Sequence, residues 1–135
     1  MKIGILKETI NGETRVSATP ETVKKMIALK QEVQVESGAG NGAAISDEMF
    51  RKEGAKIVDR ANILKSDLIL QVRAINPDEI KLLKPDQFVV GLLEPFNSNL
   101  KSQFAQRKVN AFALEALPRN TRAQSMDVLS SQANI

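Results

Sequence analysis

A short polar stretch near the end of the sequence, from Pro118 to Ile135, holds the residues best suited to chemistry. It follows an apolar run over 109–114 that is typical of a strand, so its side chains should emerge at a strand's carboxyl end, where open α/β sheets bind ligands. The stretch offers a cation, an amide, a carboxylate and a hydroxyl, namely Arg119, Gln124, Asp127 and Ser130. Such a set can orient a neutral, amide-bearing ligand. Because it contains neither His nor Cys, it is poorly equipped for acid/base work at neutral pH.

The same stretch also has a purely structural interpretation, and spacing alone leaves it open. Thr121 and Gln124 stand three residues apart, as in a capping box that starts a helix, and Ser125 with Asp127 behind it offers a second possible start. Asp127 would then only complement the helix dipole, while Arg119 and Arg122 would be solvated. An apolar stripe at helical spacing follows, formed by Met126, Leu129 and Ala133.

Composition narrows the classes of function. The 135 residues suffice for one domain, and the net charge of +3 comes from interspersed charges with only 4% aromatic residues, so we expect no nucleic-acid partner. The absence of His and Cys removes the commonest general base and metal ligands, and we expect no metal site. No apolar run reaches the roughly 20 residues that span a bilayer, so membrane association should come only through a partner. Since an apolar strand begins at Lys2, we expect no signal peptide and a cytoplasmic location.

Short apolar runs alternate with helical patterns along the chain. The sequence predicts strands over 2–6, 33–35, 56–58, 67–72, 88–93 and 109–114, with helices over 46–53, 77–83 and 98–107 and another that begins at Pro20. In the Pro20 helix the predicted buried stripe is Val23, Met26 and Ile27, with Leu29 as a further candidate. This alternation predicts an α/β fold, a doubly wound and mostly parallel sheet of Rossmann-like or flavodoxin-like type with helices on both faces.

The glycine run Gly38–Ala43 formally fits the dinucleotide fingerprint, with Asp59 near the distance expected of a ribose-binding acid. However, Ile45 intervenes and the next helix is expected to start at Ser46 with Asp47 in its first turn, where a carboxylate repels phosphate. We therefore interpret the run as a glycine-permitted turn and not as a phosphate-binding loop.

The polar stretch resembles the signature loop of the proton-translocating NAD(P) transhydrogenase alpha subunit. The resemblance is carried by Pro118-Arg119, by the run Arg122–Asp127 and by Leu129–Asn134. It implies an NAD(H) site in which Arg119, Asp127 and Ser130 hold the nicotinamide and its carboxamide. It further implies that Gln124 reaches toward the second nucleotide, so that Gln124 and Asp127 act in catalysis.

A second resemblance lies about 100 residues earlier. Asn11-Gly12-Glu13, Arg15-Val16 and Thr19-Pro20 are similar to the amino-terminal signature shared by alanine dehydrogenases and transhydrogenase alpha subunits. In alanine dehydrogenase, the position matching Arg15 binds the substrate carboxylate. Here we expect Arg15 to be structural and to pair with Glu8 or Glu13.

Alanine dehydrogenases also use residues after the fourth and fifth strands, where they place a substrate-binding Lys and a catalytic His. This chain has Arg73 near the first of these regions and Glu94 near the second, and it has no His. We expect both residues to form ion pairs at the rim of the crevice. An amino-acid dehydrogenase needs a group with a pKa near 7, whereas hydride transfer between two nicotinamides needs alignment and exclusion of water. The composition thus favours a transhydrogenase over an alanine dehydrogenase-like enzyme, and a non-catalytic dimerisation or docking scaffold is the other alternative.

The resemblance implies an assembly. Residues 1–135 would form the amino-terminal domain of a longer polypeptide, with the separate NAD-binding Rossmann domain absent from this chain and no activity in isolation. The expected partners are an NADP(H)-binding component, a membrane-spanning component and a second copy in a homodimer. Hydride transfer between NAD(H) and NADP(H) would then be coupled to proton movement at the cytoplasmic face of the bacterial inner membrane.

Overall fold

The computed structural model describes residues 1–93 and 97–114. Its strands are β1 (Lys2–Ile5), β2 (Glu32–Glu36), β3 (Lys56–Val58), β4 (Leu68–Arg73), β5 (Phe88–Leu92) and β6 (Asn110–Ala113). Its helices are α1 (Pro20–Ala28), α2 (Asp47–Lys52), α3 (Arg60–Ile63), α4 (Pro77–Ile80) and α5 (Ser98–Gln106), with a 3-10 turn at Asn41–Ala43. None of the helices in these described ranges is long and apolar enough to cross a membrane.

The six strands form one parallel sheet in the order β3-β2-β1-β4-β5-β6. The chain builds outward from β1 to β3, crosses back, and then builds outward from β4 to β6. The order therefore reverses between β1 and β4, and the loops that leave these strands diverge there. This is the doubly wound, Rossmann-like arrangement that the sequence predicts.

Two apolar cores lie on opposite faces of the sheet, because successive side chains of a strand alternate between faces. On one face, Val23 of α1 and Phe50 of α2 pack with the side chains of β1 and β2. On the other face, Ile63 of α3, Ile80 of α4 and Phe104 of α5 pack with those of β4 and β5. Helices on both faces are thus confirmed.

The predicted helix starts are confirmed where a side chain caps the first turn. The Thr22 amide donates to Thr19 Oγ1 at 3.1 Å ahead of Pro20, and the Met49 amide donates to Ser46 Oγ at 3.3 Å. These oxygens satisfy amides that have no partner within the helix.

Three details differ from the sequence prediction. Leu29 is 72% exposed, because α1 ends at Ala28 and Leu29 already leaves the helix axis as its C-cap. The helix begun at Pro77 ends at Ile80. A four-residue helix, α3, was missed because so short a segment shows no periodicity.

Candidate functional site

A crevice of about 810 Å³ opens at the carboxyl edge of the sheet, beside the point where the strand order reverses. Its walls come from the loop after β1, the segment after β4 and one side of α5. The lining residues are Thr9, Ile10, Ala74, Ile75, Asn76, Pro77, Asn97, Asn99, Leu100, Ser102, Gln103 and Gln106. Ligands of doubly wound sheets bind at this kind of position.

The lining is polar and uncharged. Among the described residues, five amide side chains and two hydroxyls share it with five apolar side chains, and none of its side chains is ionisable. Two of these amides also fix the walls, since Asn76 Oδ1 accepts from the Asp78 amide at 2.9 Å and Asn97 Oδ1 accepts from the Leu100 amide at 3.2 Å. Because an amide carries both donors and an acceptor, this lining suits an uncharged polar group better than a phosphate.

A buried carboxylate joins two arginines beside the crevice. Glu13 is only 4% exposed, and it accepts from Arg15 Nε and Arg15 Nη2, each at 2.9 Å. Arg73 Nε donates to the same carboxylate at 2.9 Å. The hydrogen bond from Arg15 is the main cause that lowers the pKa of Glu13 to about 2, and Glu13 in turn raises the pKa of Arg15. The expected pairing of Arg15 is therefore confirmed, with Glu13 as its partner.

Glu8 ties the loop after β1 to the end of β4. Its carboxylate accepts from the Val72 amide at 2.9 Å and from the Arg73 amide at 2.7 Å, where the pairing of β4 with β5 shifts register. Burial raises the pKa of Glu8, although the two amide hydrogen bonds oppose this shift. The side chain thus bridges β1 and β4 across the switch point and holds one wall of the crevice in place.

Arg60 forms a second network at this edge. Arg60 Nη1 donates to the Lys7 carbonyl at 3.0 Å and to Glu36 Oε1 at 2.8 Å, and the rest of the guanidinium forms a fork with the Glu79 carboxylate. Glu79 is the main cause that raises the pKa of Arg60. Sequence reasoning missed this network because its partners are 19, 24 and 53 residues away from Arg60, beyond any local pattern.

The glycine run forms a turn, as predicted. The Gly38 amide, which a phosphate-binding loop would offer to its ligand, donates instead to Asp47 Oδ1 at 2.9 Å. A side chain at Gly40 would lie 2.5 Å from the Ile45 carbonyl, so this position is glycine because the chain folds back closely on it. Asp59 is not a ribose ligand here, since its Oδ1 accepts from the Asn62 amide at 3.0 Å and caps α3.

The principal predicted site residues lie outside the described residues. They are Arg119, Gln124, Asp127 and Ser130, and the same holds for Glu94. Their roles therefore stay predictions. Arg73 is described, and it forms its rim ion pair with Glu13, with its own side chain 51% exposed. Within residues 1–93 and 97–114, no group of three or more acidic side chains is arranged to hold a metal ion.

Comparisons with known proteins cover almost the whole chain. Residues 4–135 match the family model described as "Alanine dehydrogenase/PNT, N-terminal domain". The chain is 40% identical to the NAD(P) transhydrogenase subunit alpha of Haemophilus influenzae, over 100% of this chain and 27% of that protein. It is also 40% identical to an NAD(P) transhydrogenase subunit alpha polypeptide of Rhodospirillum rubrum, over 100% of this chain and 37% of the relative. Alanine dehydrogenase 1 of Staphylococcus aureus is 32% identical over 98% of this chain and 36% of the relative.

Solved structures give the same result. A transhydrogenase from Sinorhizobium meliloti superposes with a TM-score of 0.88 at 41% identity, covering 99% of this chain and 41% of that one. An L-alanine dehydrogenase superposes with a TM-score of 0.84 at 27% identity, covering 90% of this chain and 34% of the other. The chain thus spans between about a quarter and two fifths of the length of these similar proteins.

Proposed function

This chain belongs to the family of alanine dehydrogenase and transhydrogenase amino-terminal domains, and on that premise we propose that it supplies the nicotinamide side of the NAD(H) site in a proton-translocating NAD(P) transhydrogenase. The observation that carries the proposal is the neutral, amide-lined crevice at the strand-order reversal, in a chain that has no His. Such a site can align an uncharged aromatic amide, whereas it lacks the proton donor and acceptor that amino-acid oxidation requires.

The 40% identity to transhydrogenase alpha subunits, against 32% to an alanine dehydrogenase, supports the same choice. An alanine dehydrogenase-like enzyme would need another source for its acid/base group. The arginine that this alternative would use for a substrate carboxylate, Arg15, already holds Glu13 at 2.9 Å.

In this proposal the cofactor is NAD(H), and its nicotinamide ring binds at the carboxyl edge of the sheet. The ring supplies the hydride donor or acceptor, and the chain supplies its orientation. In this proposal Arg119, Asp127 and Ser130 hold the ring and its carboxamide, and Gln124 reaches toward the second nucleotide. The described amides, Asn76 and Asn97, line the facing walls of the crevice. Closure of the crevice around the ring would exclude water, which protects the hydride during transfer.

The proposal extends to the assembly. Residues 1–135 act as the amino-terminal domain, a separate Rossmann domain binds the rest of NAD(H), and a partner component binds NADP(H). Two copies form a dimer, and a membrane-spanning component couples the reaction to proton movement at the cytoplasmic face of the bacterial inner membrane. The names of the relatives, which are subunits called alpha, support the existence of further subunits.

Conservative substitutions at the two predicted catalytic positions test the proposal. In the longer polypeptide assembled with its partners, we expect Gln124→Asn and Asp127→Asn each to slow hydride transfer by roughly ten- to a hundred-fold, because a ring misplaced by about 1 Å loses rate through geometry. NADH affinity should change much less. Stopped-flow transfer between the two bound nucleotides gives the rate, and fluorescence titration gives the affinity.

Matched controls are available away from the crevice. Gln31→Asn and Asp86→Asn make the same chemical changes in segments that precede β2 and β5, and both should leave the rate unchanged. If Gln124→Asn and Asp127→Asn transfer hydride as fast as these controls, the assigned roles are wrong.

A further inference from the structure

The loops that enter the strands collect cationic side chains at the amino edge of the sheet, which is the edge opposite the crevice. We call these segments, each taken to the first residue of its strand, the amino-edge loops: residues 1–2, 29–32, 53–56, 64–68, 81–88 and 107–110. Their basic residues are Lys2, Lys30, Lys56, Lys65, Lys81, Lys84, Arg107 and Lys108, and their acidic residues are Glu32, Glu53, Asp67 and Asp86. The eight basic residues exceed the four acidic ones by four, whereas the excess over the whole chain is three. The fold therefore gathers at one edge cations that are dispersed along the sequence.

The charges of the amino-edge loops are not used within the chain. None of their twelve charged side chains forms an ion pair in the described parts of the protein, 1–93 and 97–114. Seven of the eight basic residues are exposed, and Lys2 is half-buried. At the carboxyl edge, by contrast, Arg15, Arg60 and Arg73 each bind a carboxylate. The cations of the amino edge are thus available to an external partner.

Three aliphatic side chains are exposed at the same edge. Leu29, Leu82 and Met1 are 72%, 64% and 59% exposed, which are the highest values among the large apolar side chains of the described residues. Each of the three directly adjoins a lysine in the sequence. Single exposed leucines are common on protein surfaces, but a group of them among cations marks an interaction surface. Such pairs suit a lipid surface, where the lysine reaches the headgroups and the aliphatic side chain enters the boundary of the acyl chains.

Hydrogen bonds hold neighbouring amino-edge loops in fixed positions. The buried Gln87 side chain, which precedes β5, donates to the Ser66 carbonyl in the loop before β4 at 2.7 Å. The Asp86 amide donates to the Lys108 carbonyl in the loop before β6 at 3.0 Å. The cations of these three loops are therefore presented together on one preorganised surface, which lowers the cost of binding.

We propose that the amino edge binds the surface of an anionic phospholipid bilayer, with its cations at the headgroups and Leu29, Leu82 and Met1 in the interfacial layer. A group of about four to eight basic residues is typical of protein segments that bind anionic lipids. Because aliphatic side chains cannot stack on bases, the surface favours lipid over nucleic acid.

This contact is peripheral and needs no spanning segment, so it adds to the membrane association through a partner that the sequence predicts. The crevice opens at the opposite edge of the sheet and stays accessible in a chain that lies on a bilayer. The inference therefore succeeds or fails independently of the proposed cofactor and reaction.

Cosedimentation of the 135-residue chain with lipid vesicles tests the proposal. At about 0.1 M salt, we expect vesicles of phosphatidylcholine with about one third phosphatidylglycerol to bind the chain at least about ten-fold more tightly than vesicles of phosphatidylcholine alone. Raising the salt to about 1 M should remove most of this difference, because the Debye length falls from about 10 Å to about 3 Å.

Variants connect the binding to the amino edge. The double change Lys65→Glu and Lys84→Glu should weaken binding to the anionic vesicles at least about ten-fold. Lys24→Glu with Lys101→Glu is the matched control, since it makes the same change in net charge at exposed positions of α1 and α5, and it should weaken binding less than about three-fold. Leu82→Asn keeps every charge and should weaken binding about five-fold through the lost aliphatic contact.

Three results would overturn the proposal. The first is equal affinity for neutral and anionic vesicles, and the second is an equal loss in the two double variants. The third is a duplex DNA that binds the chain as tightly as the anionic vesicles do at the same salt, which would assign the edge to nucleic acid. Circular dichroism of each variant should match that of the unaltered chain, because all the altered side chains are exposed.

Discussion

At the scale of single residues, one carboxylate stabilises the base of the candidate site. Glu13 is almost fully buried and satisfies both Arg15 and Arg73, which the fold brings to the same place. Removing a carboxylate from such a cluster leaves two guanidinium groups close together without compensation, which costs more than a surface ion pair contributes.

We therefore expect Glu13→Gln to lower the free energy of unfolding at pH 7 by about 3 kcal/mol, the scale set by a pKa lowered from 4.5 to about 2. Urea denaturation of the 135-residue chain measures the change. Glu48→Gln breaks an exposed pair with Arg51 on α2 and should cost less than about 1 kcal/mol. Equal losses for the two variants would contradict the role of the Glu13 cluster.

The pH dependence of this difference has a defined sign. Because the pKa of Glu13 is lowered on folding, its stabilisation is complete above pH 4.5 and disappears as the pH falls toward 2. The difference in free energy of unfolding between the unaltered chain and Glu13→Gln should therefore shrink to zero as the pH falls from 4.5 toward 2. The raised pKa of Glu8 acts in the opposite direction. Since the charge of Glu13 is one cause of that shift, the Glu8 contribution is smaller in Glu13→Gln and cancels only in part.

At the scale of elements, close approaches between segments decide which positions must be glycine. The turn after β2 folds Gly40 against Ile45 and Phe50, so that the glycine run packs α2 against the sheet. Its sequence resembles a phosphate-binding loop, but the Gly38 amide donates to Asp47. Ile45 and Phe50 fill the space beside Gly40.

We expect Gly40→Ala to destabilise the fold by about 2–3 kcal/mol, because the new methyl group would lie 2.5 Å from a backbone carbonyl that cannot easily move. Gly12→Ala is the matched control. No atom lies within 4 Å of its added Cβ, and only its φ of +86° is unfavourable, so it should cost about 1 kcal/mol. Thermal unfolding of the two variants distinguishes packing from backbone strain. A Gly40→Ala protein as stable as Gly12→Ala would argue against the close approach.

At the scale of the whole molecule, the described residues form one parallel sheet with helices on both faces and a crevice at its carboxyl edge. A dinucleotide binds through a glycine turn whose following helix points its amino terminus at the pyrophosphate. The described residues offer no such turn, and none of their cationic side chains lines the crevice.

Isothermal titration of NADH into the 135-residue chain should therefore show binding weaker than about 1 mM. The full-length relatives, of which the chain spans 27% and 37%, are the natural comparison, and a polypeptide of that length should bind in the micromolar range. Micromolar affinity of the short chain would mean that it contains a complete nucleotide site, contrary to this expectation.

Local patterns in the sequence were enough to predict the element types and the fold class. Apolar runs and capping residues such as Thr19 and Ser46 are local signals, so the strands and most helix starts were predicted to within one or two residues. The absence of His also excluded histidine as a general acid or base, which the sequence shows directly.

Contacts between residues far apart in the sequence could not be predicted and depend on the folded chain. The Glu8 carboxylate reaches amides 64 and 65 residues away, Arg73 joins Glu13 across 60 residues, and Arg60 connects segments that no periodicity relates. The physical reason is that hydrophobic patterning depends on near neighbours, whereas ion pairs and crevice walls depend on how crossover connections bring the ends of β1 and β4 together.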